Sequence, residues 1–564
     1  MGNVIKGCTC IKANKDKLDE SINKDYQEEI PKSLIDIKIN LKNFVLQRNE
    51  NPYEKYEKIS LLGSGSFGDV YKVKRKKNNA IRALKEINKK YLKEINASNE
   101  LKNEINILKE IDHPNILKIY EFFEDNEKLY IVMEFCDSGD ISEKMDNFGE
   151  FGEFVLKYVM YQVFLGVNFL HLKKVVHGDI KRENIALIKK RESNETNEKK
   201  SKKNDIFKIF NKEREIQEEI LKAKNFSQLS ERAKYLIKEL SKYEIKLVDF
   251  GSAKMKTKKD RDKKLTGITG TAFYCSPEVV KNNYDYECDE WSCGVLMYIL
   301  LSGLPPFDGG SEEIIFKNVL NSEPDLDIPR LEHVSKSCKQ LISKLLIKDP
   351  NKRIRSDEVL KDKFFTKGIN IGALLEGKEE DNKEALKNLL QNVSRRFQQK
   401  AKKDSVFKTA VIAYIALNFV NKEDEKKANE IYRQLSAKDV KHIITKKSFN
   451  ENMKDIFGNF SQEEIDKLFE SLDNNNNNEI EYEELIRGLS DKKNLLNNNN
   501  LREAFNFFDE DLSGEITWNE IAHVIFPGKK IPEKIISEFL DEIGQKDINL
   551  SINFDEFKRI ILSE

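Results

Sequence analysis

Four windows of this chain line up at a spacing of 36 residues, starting at Ala437, Asp473, Asp509 and Gln545. Each has isoleucine at its eighth position (Ile444, Ile480, Ile516, Ile552) and an apolar thirteenth residue (Phe449, Leu485, Ile521, Phe557). That period and skeleton belong to paired helix-loop-helix calcium sites.

Calcium takes about six to eight oxygens, supplied by a loop of about twelve residues from positions 1, 3, 5, 7, 9 and 12. The third window offers Asp509, Asp511, Ser513, the carbonyl of Glu515, Thr517 and a bidentate Glu520, with Gly514 where the turn wants a positive φ. The second offers Asp473, Asn475, Asn477, the carbonyl of Glu479, Glu481 and Glu484, with Asn478 at the turn. Asparagine is the next most tolerant residue there. The first window fails, because Ala437 and Ser448 stand where carboxylates belong. The fourth is poor, with Gln545 first and Leu550 at the turn, although Asp547, Asn549 and Glu556 remain. In both, the preceding apolar helix residues sit one position upstream, so each loop is expected to be longer by one. Their expected role is structural, pairing with the good loops through position eight.

A chain of 564 residues exceeds one core, and about three or four domains are expected. Its 97 Lys plus Arg balance 97 Asp plus Glu, so no global field calls for nucleic acid or a membrane surface. The seven cysteines have no metal-ligand spacing. A reduced cytosolic protein is expected rather than a disulfide scaffold. Apolar runs such as Ala410 to Leu417 are short, none reaching the about 18–20 residues of a membrane span, and no secretory core opens the chain.

Residues 1–52 read as a mobile arm. From Tyr56 the texture changes: Ile59 to Leu62, Val70 to Lys74 and Ile81 to Ile87 read as strands, Leu101 to Ile111 as a helix, and long apolar helices begin at Phe154. A small β-rich lobe therefore precedes a larger helical one. Between about residues 190 and 243 lies a Lys/Glu/Asn/Ser-rich insert, with helical spacing from Ile216 to Leu240, read as a tolerated surface insertion.

Within the β-rich lobe, Leu62-Gly63-Ser64-Gly65-Ser66-Phe67-Gly68-Asp69-Val70 follows a strand. Glycines let backbone N–H groups approach triphosphate oxygens. A strand comes next, which argues against a dinucleotide fold. Lys85 lies in the apolar strand Arg82-Ala83-Leu84-Lys85, and a helix then presents Glu104 as an ion-pair partner. Further on come Val176-His177-Gly178-Asp179-Ile180-Lys181-Arg182-Glu183-Asn184, Asp249-Phe250-Gly251, Ser276-Pro277-Glu278 and Asp289-Glu290-Trp291-Ser292-Cys293-Gly294.

In that order and spacing, the stretch from about Tyr56 to Phe365 resembles the eukaryotic protein kinase family. The resemblance implies that Lys85 holds the α- and β-phosphates of ATP and pairs with Glu104, and that Asp179 orients the substrate hydroxyl. It implies further that Lys181 steadies the γ-phosphate, that Asn184 and Asp249 hold two Mg²⁺, and that Thr271 supports Asp179. Met133 takes the gatekeeper position, Glu134 to Cys136 form the adenine-binding hinge, and Glu278 with Arg353 forms a structural ion pair. The Lys-x-Glu-Asn run after Asp179 implies Ser/Thr targets. Acidic Asp140 and Glu183 imply substrates with a basic residue near the target hydroxyl. The chain departs from the family at Gly178, where the usual Arg binds an activation-loop phosphate, at Arg182 in place of Pro, and at Ser276 in place of Ala. Activity without phosphate on Thr266 or Thr269 is therefore expected.

Between enzyme and repeat, Leu386, Leu389, Leu390, Val393, Phe397 and Ala401, then Phe407, Ala410, Val411 and Tyr414, make helical stripes, interleaved with Arg395, Arg396, Lys400, Lys402, Lys403 and Lys408. A basic amphipathic helix suits a calcium-sensor lobe. Together, kinase, junction and four hands resemble the calcium-dependent protein kinase family of plants and protists. The implied architecture is α+β: an arm (1–52), a two-lobed kinase fold (53–365) with its insert at about 190–243, an autoinhibitory junction helix (366–420) and an all-α domain of four EF-hand units (421–564). The implied function is a calcium-activated Ser/Thr kinase using ATP, Mg²⁺ and Ca²⁺, whose calcium-loaded hands bind the junction helix and relieve its inhibition. The rival is a calcium-responsive scaffold with an inactive kinase domain. Met1-Gly2-Asn3 offers an N-myristoylation site, with Cys8 and Cys10 as palmitoylation candidates and Lys6 in place of the usual Ser/Thr. The expected location is cytoplasmic, with peripheral anchoring to the inner face of the plasma membrane or another membrane if acylated.

Overall fold

The computed structural model describes residues 44, 47–48, 51–65, 68–94, 98–189, 205–224, 226–256, 263–267, 270–369, 371, 405–420, 422–437, 439, 441–456, 461–473, 475, 477–490, 495–526, 531–544 and 551–562. Outside them lie Gly2, Cys8 and Cys10, Ser66 and Phe67 of the glycine loop, Thr269, the basic cluster from Arg395 to Lys403, and Gln545, Asp547, Asn549 and Leu550 of the fourth loop.

Strands β1 (Gln47–Arg48), β2 (Tyr56–Gly65), β3 (Gly68–Arg75), β4 (Ile81–Asn88), β5 (Ile119–Glu124) and β6 (Lys128–Met133) form one sheet in the order β1-β5-β6-β4-β3-β2. Side chains alternate between its two faces. Ile87, Phe122 and Ile131 join the large core with the helix Ser98–Glu110, while Val73, Leu84, Phe123 and Val132 build a small core on the opposite face. β1 lies inside the stretch read as an arm. It pairs in parallel with β5, Gln47 opposite Phe122. Just before it, Phe44 is buried against Tyr414 and Phe507, with ring centroids 6.2 Å away in each case. A two-residue strand carries too little alternation to be read from sequence, so the ordered fold begins upstream of residue 53.

The larger lobe is threaded by the helix Glu153–Leu172, whose apolar residues point to every side and are buried. Its 20 residues and mean hydropathy of 1.2 would suffice for a membrane span, against the expectation that nothing in the chain does. The window is 89% buried inside the lobe, which makes it a core helix.

The insert also departs from its expectation. The helix Ile206–Lys212 is N-capped by Asp205, which accepts from the Phe207 N–H and also pairs with Lys144 at 2.7 Å. Phe207 and Phe210 pack on Phe151, Tyr243 and Phe154. The helix Glu231–Ser241, capped by Ser230, buries Ala233, Leu236, Ile237 and Leu240 in the same core. Its charged outer face dominates composition, and the apolar inner face is legible only at helical spacing. The described part of the insert, from residue 205, is therefore structural.

The repeat pairs through its eighth-position isoleucines, as expected. Ile444–Thr445 pairs antiparallel with Glu479–Ile480, and Glu515–Ile516 with Ile552–Asn553, placing Ile444 opposite Ile480 and Ile516 opposite Ile552. These two bridges are the only strands among the described residues of an otherwise helical unit. The junction differs from its expectation in one respect. The helix Val406–Phe419, capped by Ser405, is apolar on all sides rather than amphipathic. It is enclosed by the helices Tyr482–Leu489, Asn498–Phe508, Trp518–Ile525 and Phe554–Leu562, so no face of it needs to be polar.

The helical unit of the repeat meets the two lobes through a few polar ties. Arg433 donates to Glu244 at 2.7 Å, Asn429 donates to both Glu244 oxygens, and Asn168 donates to the Lys441 carbonyl at 2.7 Å. Arg75 bonds Glu503 at 3.3 Å and lies over the Phe419 ring.

Phe210→Ala in the insert should lower unfolding stability by about 3–5 kcal/mol, the cost of emptying a buried aromatic site. Chemical denaturation of the full chain measures this. An unchanged midpoint would return the insert to the status of a surface appendage.

Candidate active site and calcium loops

β2 and β3 meet at a tight tip, with Gly63 opposite Val70, Ser64 opposite Asp69 and Gly65 opposite Gly68. A Cβ on Gly68 would lie 1.8 Å from the Glu86 carbonyl oxygen of β4, so only glycine lets the tip fold back on the sheet. The Ser64 hydroxyl donates to Asp69 at 2.6 Å, and Leu62 is exposed at the mouth. On β4, Lys85 reaches Glu104 at 3.5 Å. Burial pushes the Glu104 carboxyl up against the pull of Lys85, and nearby Asp249 adds to the push. The second Glu104 oxygen is buried without a hydrogen-bond partner. Beyond Met133, the Glu134 N–H donates to the Lys118 carbonyl, while its side chain turns back to Lys246 at 3.0 Å. Burial raises the thiol of Cys136 far above its ordinary range.

The larger lobe contributes a second cluster. Lys181 Nζ donates to Asp179 Oδ2 at 2.6 Å and to Thr271 Oγ1 at 2.9 Å, and the Thr271 hydroxyl donates to Asp179 Oδ1 at 3.1 Å. Asn184 Nδ2 donates to the Asp179 carbonyl at 2.8 Å and to its Oδ2 at 3.1 Å. The amide nitrogen is thus spent on the loop, and the amide oxygen is left as the atom a hard cation takes. Asp249 adopts φ 64°, supported by the Gly251 N–H at 3.4 Å, and Phe250 is buried on the His177 ring. An oxygen donor set from Asn184 and Asp249 fits Mg²⁺, and the cation would neutralise a triphosphate that carboxylates alone repel. Such a site can orient a hydroxyl and stabilise charge on a transferring phosphoryl group.

The motif around Asp289 marks a position without disclosing its role, and the structure supplies one. Asp289 accepts from the N–H groups of His177 and Gly178, each at 2.9 Å, and from His171 Nε2 at 2.9 Å. Burial would lower the His171 imidazole, but Glu290 and Asp289 raise it to about 10, so it is charged at neutral pH. Burial would raise the Asp289 carboxyl, yet His171 and the Gly178 N–H hold it below its ordinary value. This buried cluster mounts the loop that carries Asp179 on the helix Glu287–Ser302. Glu278 and Arg353 form the expected buried pair, Nη2 to Oε2 at 3.0 Å.

In the third calcium loop, carboxylate oxygens of Asp509, Asp511 and Glu520 all lie within 4.8 Å of one another. Gly514 has φ 86°, and its N–H bonds Asp509 at 3.0 Å. The Ser513 hydroxyl donates to the Glu515 carbonyl at 3.1 Å, so that carbonyl faces the loop. In the second loop Asp473 accepts from the N–H groups of Asn477 and Asn478, and Asn478 has φ 63°, as the turn requires. Asn475 Oδ1 accepts from Asn477, and Asn477 Oδ1 accepts from Glu479. Burial, with Glu483 beside it, raises the Glu484 carboxyl to about 8. Glu481 at position nine meets Lys173 of the kinase at 3.0 Å. These all-oxygen sets fit calcium. In the first loop Ser448 and Thr445 instead bond each other at 3.0 to 3.2 Å, and the Thr445 hydroxyl donates to Asp439 at 2.9 Å.

Calorimetry on the full chain should find two calcium sites of useful affinity. Glu484→Gln and Glu520→Gln should each abolish one, by removing the bidentate ligand. Four equivalent sites would contradict this assignment.

Residues 56–365 match the family described as protein kinase domain. Calcium-dependent protein kinase 4 of Plasmodium berghei (strain Anka) is 29% identical over 562 residues, 97% of this chain and 94% of that protein. Calcium-dependent protein kinase 5 of Plasmodium falciparum (isolate 3D7) is 30% identical over 567 residues, 99% of this chain and 86% of that protein. Both similarities run through the kinase lobes and the calcium repeat alike. The chain belongs to the protein kinase family and, within it, to the calcium-dependent protein kinases.

Proposed function

We propose that this kinase transfers the γ-phosphate of Mg-ATP to serine or threonine of protein substrates, and that calcium at the second and third loops governs the transfer. The observation that carries the catalytic reading is the convergence of Lys181, Thr271 and Asn184 on the carboxylate of Asp179. Lys85 and Glu104 support a second role, holding the α- and β-phosphates while Asn184 and Asp249 hold Mg²⁺. The scaffold alternative is disfavoured, because all four of Lys85, Asp179, Asn184 and Asp249 are present in the sequence. Asp140, raised by burial, and Glu183 support a preference for basic substrates, although Glu183 already pairs with Arg182 at 3.1 Å. Asp179→Asn should reduce phosphoryl transfer to a peptide by about a hundredfold or more while ATP binding persists. Near-normal turnover would remove Asp179 from the mechanism.

On regulation, our reading is that the junction helix inhibits the kinase and that the calcium-loaded unit takes it up. Burial of the helix Val406–Phe419 within the calcium unit supports the uptake. The inhibitory basic cluster would occupy the acidic substrate groove, and the switch works only through the difference in affinity between the two states. A second reading, in which the docked calcium unit braces the kinase, is favoured by the buried Arg433–Glu244 pair formed while Lys85 and Glu104 are also paired. A chain truncated to residues 53–370, assayed with calcium and with chelator, separates the two. Calcium-independent activity supports a purely inhibitory helix. A folded but inactive chain supports the brace.

A further inference from the structure

Thr271 can support Asp179 only if the segment leading to it from Asp249 is held in place, and Gly178 gives the catalytic loop no side chain to hold it. The structure places a cation on the strand paired with the residues just before that loop. Lys254 lies in the strand Lys254–Met255, paired antiparallel with Val175–Val176 so that Lys254 stands opposite Val176, immediately before the catalytic loop. From there its ammonium donates to the carbonyl of Thr266 and to the hydroxyl of Tyr284, the latter at 2.8 Å. It also lies 5.2 Å from the centroid of the Tyr284 ring. Tyr284 is a fixed anchor: it is 1% exposed, and its main chain exchanges both hydrogen bonds with Leu265, at 2.8 and 3.1 Å. Around this tie, the Gly267 N–H donates to the Asn282 side chain, and Asp285 takes Lys256 at 2.8 Å and Lys264 at 3.5 Å. Past it, the segment presses on the catalytic loop at Gly270, where a Cβ would lie 2.7 Å from the Gly178 carbonyl oxygen. Thr271 follows directly.

We propose that Lys254 is a positioning residue. Through the Thr266 carbonyl and the Tyr284 hydroxyl it sets the activation segment in its working place, doing without a phosphate what a phosphorylated threonine would otherwise require. The ammonium is a compact charge with several donors, suited to bridging a carbonyl and a hydroxyl at once. Because the tie is charge-assisted, its loss is felt at the substrate platform and at Thr271 and leaves the nucleotide site alone. This assignment rests on the kinase reading above.

The test uses the full chain at saturating calcium, with a basic serine peptide and Mg-ATP. Lys254→Met should lower kcat/KM for the peptide by about tenfold to a hundredfold, with KM for ATP within about twofold of the parent. Lys254→Arg should recover most of the loss. Thr266→Ala, which keeps the carbonyl, should stay within about twofold of the parent, and mass spectrometry should find the active parent without phosphate at Thr266. Tyr284→Phe keeps the buried ring and should move kcat/KM in the same direction by less, which carries the test if Lys254→Met does not fold. Unchanged kcat/KM in both Lys254→Met and Tyr284→Phe would overturn the proposal. So would a Thr266→Ala loss as large as that of Lys254→Met with phosphate found on Thr266, since Lys254 would then serve a phosphate. A parent chain without turnover would instead mark failure of the kinase reading, a result no Lys254 variant can mimic.

Discussion

The proposed active site hangs on one buried carboxylate. Asp289 is fully enclosed and accepts from two consecutive backbone N–H groups of the catalytic loop and from a charged His171. A buried anion is tolerated only when its acceptor sites are filled and a counter-charge lies beside it. Meeting those conditions fixes the loop at His177 and Gly178, one residue before Asp179. Gly178, with φ 77°, takes a left-handed turn that glycine enters without steric cost. Everything the site can do, from the Lys181 and Thr271 bonds on Asp179 to the Asn184 bond behind it, is built outward from that mount.

The calcium unit meets the kinase on the same economy of buried charge. Arg433 and Glu244 are almost wholly removed from water, and Asn429 fills the remaining acceptor capacity of the carboxylate. Such a pair gives little net stability when complete, and costs much when one partner withdraws. It therefore favours an interface that is fully formed or fully parted over one that slides. The helix Val406–Phe419 adds the apolar counterpart: a helix with no polar face must be covered on every side, and the calcium unit covers it. Phe44 packs into the same core from the other direction, next to a strand added to the kinase sheet. Among the described residues, kinase and calcium unit thus meet through Phe44, through Phe419 at the end of the junction helix, and through side chains and carbonyls from Asn429 to Glu503.

Much of this could be read from residue order. The pairing of the repeat was legible because the turn residue and the eighth-position isoleucine are local, and the bridges pair Ile444 with Ile480 and Ile516 with Ile552 at the anticipated positions. The kinase domain was legible because its motifs are short and ordered. The helices of the insert between Ile216 and Leu240 were legible, but their burial was not, because the charged outer faces outweigh Phe207, Phe210 and Leu236 in composition while those residues do the packing. The strand at Gln47–Arg48 was too short to show alternation, and the junction helix was read as amphipathic because its basic neighbours upstream were counted with it.

What the sequence determined by itself was the set of chemical groups and their local backbone: carboxylates and amides at loop spacing, glycine and asparagine where φ is positive, an apolar strand for Lys85, and a period of 36 residues that makes hands pair. These depend on neighbours within about one turn or one hairpin, so residue order suffices. Only the tertiary structure decided which distant groups share a charge. Nothing in residue order brings Asp289 under His177, Glu244 against Arg433, or Lys254 onto Thr266 and Tyr284. Electrostatic and hydrogen-bond partners are chosen by closeness in space and by the absence of water, and both exist only once the chain has folded.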